Sequence, residues 1–177
     1  MIGEHVIKSL FTVSSLSLAL AACLLLGVVL SSPVQSKATG KGLEIIKSVL
    51  PDSTVVKNNV VYVDFWASWC APCGQSFPFM NELQEAYGAK GLKIVTINLD
   101  KDHEQAQDFL DRLKSPLEVV FDSTGSLAKK YDIDAMPSSF IYGRDGTLRA
   151  HHQGFSDKDT VYLDSVVRTL IEEKQPK

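Results

Sequence analysis

A seven-residue run that is apolar except for one aspartate, Val60–Trp66, constrains the fold of this chain more than any other feature. Its β-branched and aromatic residues favour a strand, and so continuous an apolar run is typical of a strand buried on both faces of a sheet. Apolar residues then recur at helical spacing from Phe77 to Tyr87, and a second, mostly apolar segment at residues 92–99 is expected to form another buried strand. This order predicts a βαβ unit.

The rest of the chain continues the alternation of strand and helix. We predict further helices at residues 103–113, 125–131 and 157–173, and a strand at residues 117–121. Residues 139–142 and 147–151 flank an Arg-Asp-Gly turn and are expected to form a hairpin. Ahead of the first run, a short helix within residues 43–50 and a short strand at 54–56 are expected. The pattern predicts one α/β domain over residues 43–177.

The N-terminal part of the chain differs from the rest. Residues 10–30 carry no charged side chain and reach the roughly 20 residues that a helix needs to span a bilayer. Lys8 precedes this run and polar residues follow it, as in a secretory leader. We therefore expect a membrane anchor or signal segment at residues 1–31 and a flexible tether at residues 32–42. Retention of the helix, its cleavage near residues 34–36, and acylation of Cys23 in a lipobox-like context all remain open.

Charge and metal-ligand content exclude some classes of function. The net charge is −3, from 18 basic and 21 acidic residues, and the basic residues are spread along the chain, so the sequence does not indicate nucleic-acid binding. Three cysteines are too few for a disulfide-stapled scaffold. His151 and His152 are neighbours in a predicted strand, so their side chains should point to opposite faces and not chelate one ion. We expect neither a metal nor another cofactor.

A pair of cysteines lies where the first strand gives way to the first helix, in the sequence Trp69-Cys70-Ala71-Pro72-Cys73. Unpaired backbone N–H groups and the macrodipole at a helix N-terminus favour thiolate over thiol and lower the pKa of a cysteine there, so Cys70 is the candidate nucleophile. Cys73 follows within the first turn, where it can resolve a mixed disulfide on Cys70. Pro72 suits a helix start. Half of a zinc site and an inert structural disulfide are the alternatives.

The sequence VDFWASWCAPC at residues 63–73 resembles the active-site strand and turn of thioredoxin. Over residues 55–171 the chain is similar to the TlpA/ResA branch of exported thioredoxin-like disulfide reductases, which carry a membrane tether and an extra αβ insertion, here at residues 103–121. The resemblance implies an α/β thioredoxin-like fold with a central mixed β-sheet flanked by helices, preceded by one N-terminal transmembrane or signal helix.

The resemblance also implies roles for residues outside the cysteine pair. Met136-Pro137-Ser138 resembles the loop whose cis-proline faces the cysteines, and it would present the Met136 backbone to an extended substrate segment. Asp64 corresponds to a buried acid that would take the proton from Cys73 as this thiol attacks. The expected substrate-binding residues are Trp69, Ala71, Pro72, Met136 and Pro137.

Three positions depart from the relatives. Ser76 stands where many TlpA/ResA-type proteins carry an acidic residue, and Thr96 stands where thioredoxin has a lysine near its buried acid. Asp64 itself is more typical of thioredoxin than of the exported branch, in which asparagine is common. The tuning of the thiols by charge is therefore left open by the resemblance.

From the resemblance we expect a monomeric reductase of disulfides in extracytoplasmic proteins. It would be held at a bacterial inner membrane with its domain facing the periplasm or extracytoplasmic space, and a membrane electron donor of the DsbD/CcdA type would reduce it again. The same dithiol could instead donate its disulfide as an oxidase, because the direction depends on the reduction potential. Copper delivery or cytochrome assembly by a binding protein that uses the dithiol, and peroxide reduction, are further alternatives.

Overall fold

Strands and helices alternate along the chain much as the hydrophobic pattern predicts. The computed structural model describes residues 47–48 and 58–174. The predicted anchor, the tether, Cys23 and the strand at residues 54–56 lie outside this part of the chain. No helix within the described residues is long and apolar enough to cross a bilayer. The elements are β1 (Val60–Trp66), α1 (Ala71–Tyr87), a 3-10 turn (Gly88–Lys90), β2 (Leu92–Asn98), α2 (His103–Leu113), β3 (Glu118–Phe121), α3 (Ser126–Lys130), β4 (Ser138–Tyr142), β5 (Leu148–Gln153) and α4 (Asp159–Glu172).

The five strands form one mixed sheet in the order β3-β2-β1-β4-β5. β1 pairs in parallel with β2 and antiparallel with β4, and β2 pairs in parallel with β3. β4 and β5 form the predicted hairpin, whose turn contains Gly146 at a φ of 75°. All seven residues of β1 are buried, which confirms the prediction of a central strand. The predicted central mixed sheet flanked by helices is also confirmed.

The two faces of β1 contribute to different hydrophobic clusters because successive side chains point to opposite sides of the sheet. On one face, Tyr62 and Trp66 pack with buried residues of α1, α2 and α4. On the other face, Val63 and Phe65 pack in a cluster that includes Tyr131 and receives Leu127 of α3. Asp64 is two residues from both Tyr62 and Trp66, so its side chain lies on the same face as theirs, the face covered by α1.

The carboxyl end of β1 leads through four residues, 67–70, into α1, and this junction positions the cysteine pair. Cys70 is the N-cap residue of α1, with a φ of −85° and a ψ of 104°. Its backbone N–H donates to the carbonyl of Ala67, and its own carbonyl accepts from the N–H of Cys73. Trp66 anchors the junction in the core, with its ring 4.7 Å from that of Phe77 and 4.9 Å from that of Phe109.

Candidate active site

Cys70 and Cys73 form a disulfide at the N-terminus of α1. The two sulfurs are bonded at 2.10 Å, and the Cα atoms lie 5.3 Å apart. The cysteines differ in accessibility, since Cys70 retains 7% of its surface and Cys73 retains none. An incoming sulfur can therefore reach Cys70 alone, whereas Cys73 faces the core side of the helix. This arrangement suits an outer nucleophile and an inner resolving thiol, as the spacing predicts.

The loop before Cys70 is held by a buried carboxylate that the sequence did not single out. Asp100, directly after β2, accepts hydrogen bonds from the N–H and the hydroxyl of Ser68, at 2.9 and 3.0 Å. It also accepts from the Asn98 amide at 2.7 Å, and its own N–H donates back to the Asn98 side-chain oxygen. These bonds fix the backbone two residues before the nucleophile. Trp69 projects from this loop with 68% of its surface exposed.

An open groove of 390 Å³ runs past Cys70. Its walls come from the cysteine loop, the end of β2 and the segment before β4, and its lining residues are Trp69, Cys70, Pro72, Leu99, Ile133, Asp134, Ala135 and Met136. A groove of this kind can receive an extended chain whose sulfur approaches Cys70.

The Met136–Pro137 peptide bond is cis, as the resemblance implies. The Pro137 carbonyl accepts from the Gly154 N–H at 2.8 Å, and the Ser138 hydroxyl donates to the Ala135 carbonyl at 2.7 Å, so both sides of the loop are fixed. Among the described residues, no group hydrogen-bonds to the backbone N–H or carbonyl of Met136. That backbone is available for pairing with an extended partner.

Asp64 is fully buried on the sheet face that α1 covers. Its Oδ1 accepts a 2.6 Å hydrogen bond from the Ser139 hydroxyl, and its Oδ2 has no partner among the described residues. Burial raises the pKa of the Asp64 carboxyl from its ordinary 3.8 to about 7, because the charged form is poorly solvated there, while the Ser139 hydrogen bond opposes the rise. A group with this pKa can exchange a proton near neutral pH.

The structure places most of the predicted site residues around Cys70. Trp69, Pro72 and Met136 line the groove, and Pro137, the residue after Met136, is buried. Ala71 is exposed at the start of α1 and is not among the groove-lining residues.

Two of the three positions that depart from the relatives, Ser76 and Thr96, are buried and hydrogen-bonded to backbone. The Ser76 hydroxyl donates to the Cys73 carbonyl at 3.1 Å, and the Thr96 hydroxyl donates to the Glu118 carbonyl at 3.1 Å. Thr96 lies opposite Asp64 in the β1–β2 register, yet its hydroxyl is directed to β3. The only hydrogen bond that Asp64 receives from a described side chain is therefore the one from Ser139.

The histidines lie apart, as the strand periodicity predicts. His151 stacks on Phe140, with ring centroids 4.2 Å apart, on one face of the sheet. His152 lies on the other face, where its Nε2 is 3.5 Å from Asp159 Oδ1 of α4. No cluster of three potential metal ligands occurs within residues 47–48 and 58–174.

A thioredoxin-like sheet, a Cys-X-X-Cys pair at a helix N-terminus and a facing cis-proline together define a thioredoxin-fold dithiol–disulfide protein. The family model described as Redoxin matches residues 49–169. The chain belongs to the Redoxin family.

Relatives with assigned activities align with more than half of the chain. The chain is 30% identical over 112 residues to the thiol-disulfide oxidoreductase ResA of Bacillus thuringiensis subsp. konkukian, which covers 62% of this chain and 65% of the relative. It is 32% identical over 95 residues to the sporulation thiol-disulfide oxidoreductase A of Bacillus subtilis, covering 52% of this chain and 58% of the relative. The matched regions thus span less than two thirds of the length of these curated relatives.

Solved structures show the same fold. A chain from Chlorobium tepidum described as a thiol:disulfide interchange protein DsbE is 39% identical, with a TM-score of 0.64 over 67% of this chain and 84% of that one. StoA from Bacillus subtilis is 28% identical, with a TM-score of 0.53 over 62% of this chain and 82% of that one. The expected resemblance to ResA-type proteins is confirmed.

Proposed function

We propose that this protein is a thiol-disulfide oxidoreductase that reduces disulfides in extracytoplasmic proteins by dithiol exchange at Cys70 and Cys73. The observation that carries the proposal is the unequal exposure of the two cysteines at one helix N-terminus, beside a groove lined by Trp69, Cys70 and Met136. The names of its relatives support the same chemistry.

In the first step, the Cys70 thiolate attacks one sulfur of a disulfide in the partner. A bond forms between Cys70 and that sulfur, the partner's S–S bond breaks, and its other sulfur leaves as a thiolate that takes a proton from water. The helix N-terminus stabilises the Cys70 thiolate before attack. Trp69 and Pro72 contact the partner across the groove, and the Met136 backbone pairs with its extended chain.

In the second step, Cys73 releases the partner. Its thiol passes a proton to Asp64, and the resulting thiolate attacks the Cys70 sulfur, so that the Cys70–Cys73 bond forms as the mixed disulfide breaks. The partner's first sulfur leaves as a thiolate and is protonated from water. Two electrons pass from the dithiol to the partner. Asp64 suits the proton transfer because it lies on the α1 face of β1, is fully buried, as Cys73 is, and has a pKa raised to about 7.

The cellular setting is also a proposal. The charge-free run at residues 10–30 supports a membrane tether at a bacterial inner membrane, with the domain facing the periplasm or extracytoplasmic space. A membrane electron donor of the DsbD/CcdA type would restore the dithiol. The chemistry requires no prosthetic group, and we propose that the chain acts as a monomer.

Trapping in cells tests the proposal. Cys73→Ala should leave Cys70 joined to its substrates in mixed disulfides. Cys70→Ala is the matched control, because it also lacks one cysteine of the pair, and it should trap no substrate. Purified protein should reduce the insulin disulfides, and equilibration with glutathione buffers should give a potential low enough for a reductase. Absence of any mixed disulfide together with no insulin reduction would refute the exchange chemistry. A potential in the oxidising range of the DsbA type, about −120 mV, would instead make the protein a disulfide donor.

A further inference from the structure

Three buried polar side chains form a chain of hydrogen bonds on the sheet face beneath α1. The Tyr62 hydroxyl donates to Ser139 Oγ at 2.9 Å, and Ser139 Oγ donates to Asp64 Oδ1 at 2.6 Å. Asp64 and Ser139 are directly opposite each other in the β1–β4 register, and Tyr62 precedes Asp64 by two residues on the same face. All three side chains are buried, so these groups hydrogen-bond to one another and not to solvent.

The direction of these bonds determines which carboxyl oxygen is free. A hydroxyl has one proton to donate. Tyr62 uses its proton on Ser139, and Ser139 uses its own on Asp64 Oδ1, so Oδ1 acts as an acceptor in this chain. Oδ2 makes no hydrogen bond to the described residues. A proton that binds Asp64 is therefore accommodated on Oδ2 without breaking either bond.

We infer that Ser139, held in place by Tyr62, is a positioning residue that occupies Oδ1 of Asp64 and reserves Oδ2 for the proton released by Cys73. The inference rests on the proposed function for the identity of the proton donor. No described ion pair includes Asp64, and the Thr96 hydroxyl donates to the Glu118 carbonyl instead of to the acid. Among the described side chains, Ser139 is therefore the group that stabilises the Asp64 carboxylate.

The remaining groups on this face leave Asp64 with few electrostatic neighbours. The residues that α4 buries against the sheet are apolar: Leu163, Val167 and Leu170. α1 contributes Cys73 and the uncharged Ser76, and β2 contributes Thr96. Among the described residues, the titratable groups on this face include Tyr62 on β1, the cysteine pair on α1 and His152 on β5, one strand beyond Ser139, with Asp159 of α4 3.5 Å from His152. Since burial raises the pKa of Tyr62 well above its ordinary value, Tyr62 stays protonated and remains a donor.

The titration of Asp64 in the reduced full-length protein tests the inference directly, by carboxyl 13C NMR. Ser139→Ala removes a hydrogen bond that stabilises the carboxylate, so we expect the titration midpoint to rise by about one to two pH units. Tyr62→Phe keeps the hydrogen bond from Ser139 to Asp64 but removes the bond from Tyr62 that polarises the Ser139 hydroxyl. We therefore expect the titration midpoint of Asp64 to rise by a few tenths of a pH unit. In the infrared spectrum of protonated Asp64, Ser139→Ala should move the carbonyl stretch to higher frequency, because Oδ1 then accepts no bond.

Two matched controls separate the positioning role of Ser139 from the general effect of removing a buried hydroxyl. Thr96→Val removes a buried hydroxyl that lies opposite Asp64 on the other neighbouring strand, and Tyr142→Phe removes a buried hydroxyl that has no partner among the described residues. Neither control should move the midpoint. An unchanged midpoint and carbonyl stretch in Ser139→Ala, or an equal shift in Thr96→Val, would overturn the inference.

The pH profile of the exchange reaction provides the functional readout. We follow the second phase of the reaction of reduced protein with oxidised glutathione by stopped flow. A rise of one to two pH units in the Asp64 midpoint leaves roughly five- to fifty-fold less carboxylate at pH 7, so the resolving phase of Ser139→Ala should slow by that factor and recover at alkaline pH. If the wild-type protein reduces neither glutathione nor insulin disulfides, the proposed function fails, while the titrations still decide the role of Ser139. A Ser139→Ala profile identical to wild type would overturn that role alone.

Discussion

Substituting Asp64 by asparagine removes a buried carboxyl whose pKa is raised to about 7. In the unfolded chain this group has its ordinary pKa of 3.8, so folding binds its proton more tightly. A raised folded-state pKa adds stability that is fully present below pH 3.8 and is lost as the pH rises through 7. At about 1.4 kcal/mol per pH unit, the whole loss is about 4 kcal/mol, of which roughly 3 kcal/mol falls between pH 5 and pH 8.5.

The assay is urea unfolding of the oxidised protein at several pH values, because the disulfide prevents Cys70 and Cys73 from titrating. Other groups titrate as well, so the quantity of interest is the difference in unfolding free energy between Asp64→Asn and wild type. We expect this difference to shift in favour of the variant by about 3 kcal/mol from pH 5 to pH 8.5. Any constant cost of the asparagine amide cancels from this shift. Asp108→Asn, at an exposed position on α2, is the control and should stay parallel to wild type.

Parallel stability curves for wild type and Asp64→Asn would refute the reasoning. They would mean that the carboxyl is solvated or paired in solution, and that it carries no raised pKa for use in proton transfer. A shift of the opposite sign would mean that the folded protein stabilises the carboxylate, which contradicts the burial described above.

Four further substitutions test how the fold and the site are supported. Asp100→Ala should lower the free energy of unfolding, measured by urea denaturation, by roughly 2–4 kcal/mol, because it leaves the Ser68 N–H and the Asn98 side-chain amide without the carboxylate that accepts their hydrogen bonds. Asp122→Ala should cost about 1–2 kcal/mol, because Asp122 accepts three backbone N–H bonds at the start of α3, whereas Asp102→Ala at the exposed cap of α2 should cost less. Trp69→Ala should change stability by at most about 0.5 kcal/mol, because the side chain is exposed, yet slow insulin reduction more than glutathione reduction. An equal loss in both exchange assays would contradict a role for Trp69 in protein recognition.

Local patterns predict most of the fold because the deciding residues are close in sequence. The run Val60–Trp66 is buried along its whole length, and α2 has the bounds that its periodicity predicts. Cys70 and Cys73 are recognisable because a helix N-terminus and a two-residue spacing are local features. The cis bond before Pro137 follows from the family resemblance, since its geometry depends on a loop that faces the cysteines from another part of the chain.

The partners of Asp64 could not be predicted in the same way because they depend on register. Ser139 meets Asp64 only after β4 pairs antiparallel with β1, and a shift of one residue would turn its hydroxyl to the opposite face. One signal was present in the sequence, since Ser138 and Ser139 are polar residues at the start of a strand that is otherwise apolar. Asp100 was missed for a similar reason, because its carboxylate acts on Ser68, 32 residues earlier in the chain.

The central claim is that the sulfur of Cys70 is made acidic and accessible by the helix that begins there. The most direct measurement is the rate of alkylation of Cys70 in the reduced full-length protein as a function of pH. The rate is read from the proteolytic peptide that contains Cys70 and Cys73. The Cys73→Ser variant is the reference in which Cys70 is the single thiol of that peptide. The account predicts a half-maximal rate well below the pH of about 8.5 expected for a free cysteine, and modification of Cys70 before Cys73. A midpoint at or above that pH, or earlier modification of Cys73, would contradict it.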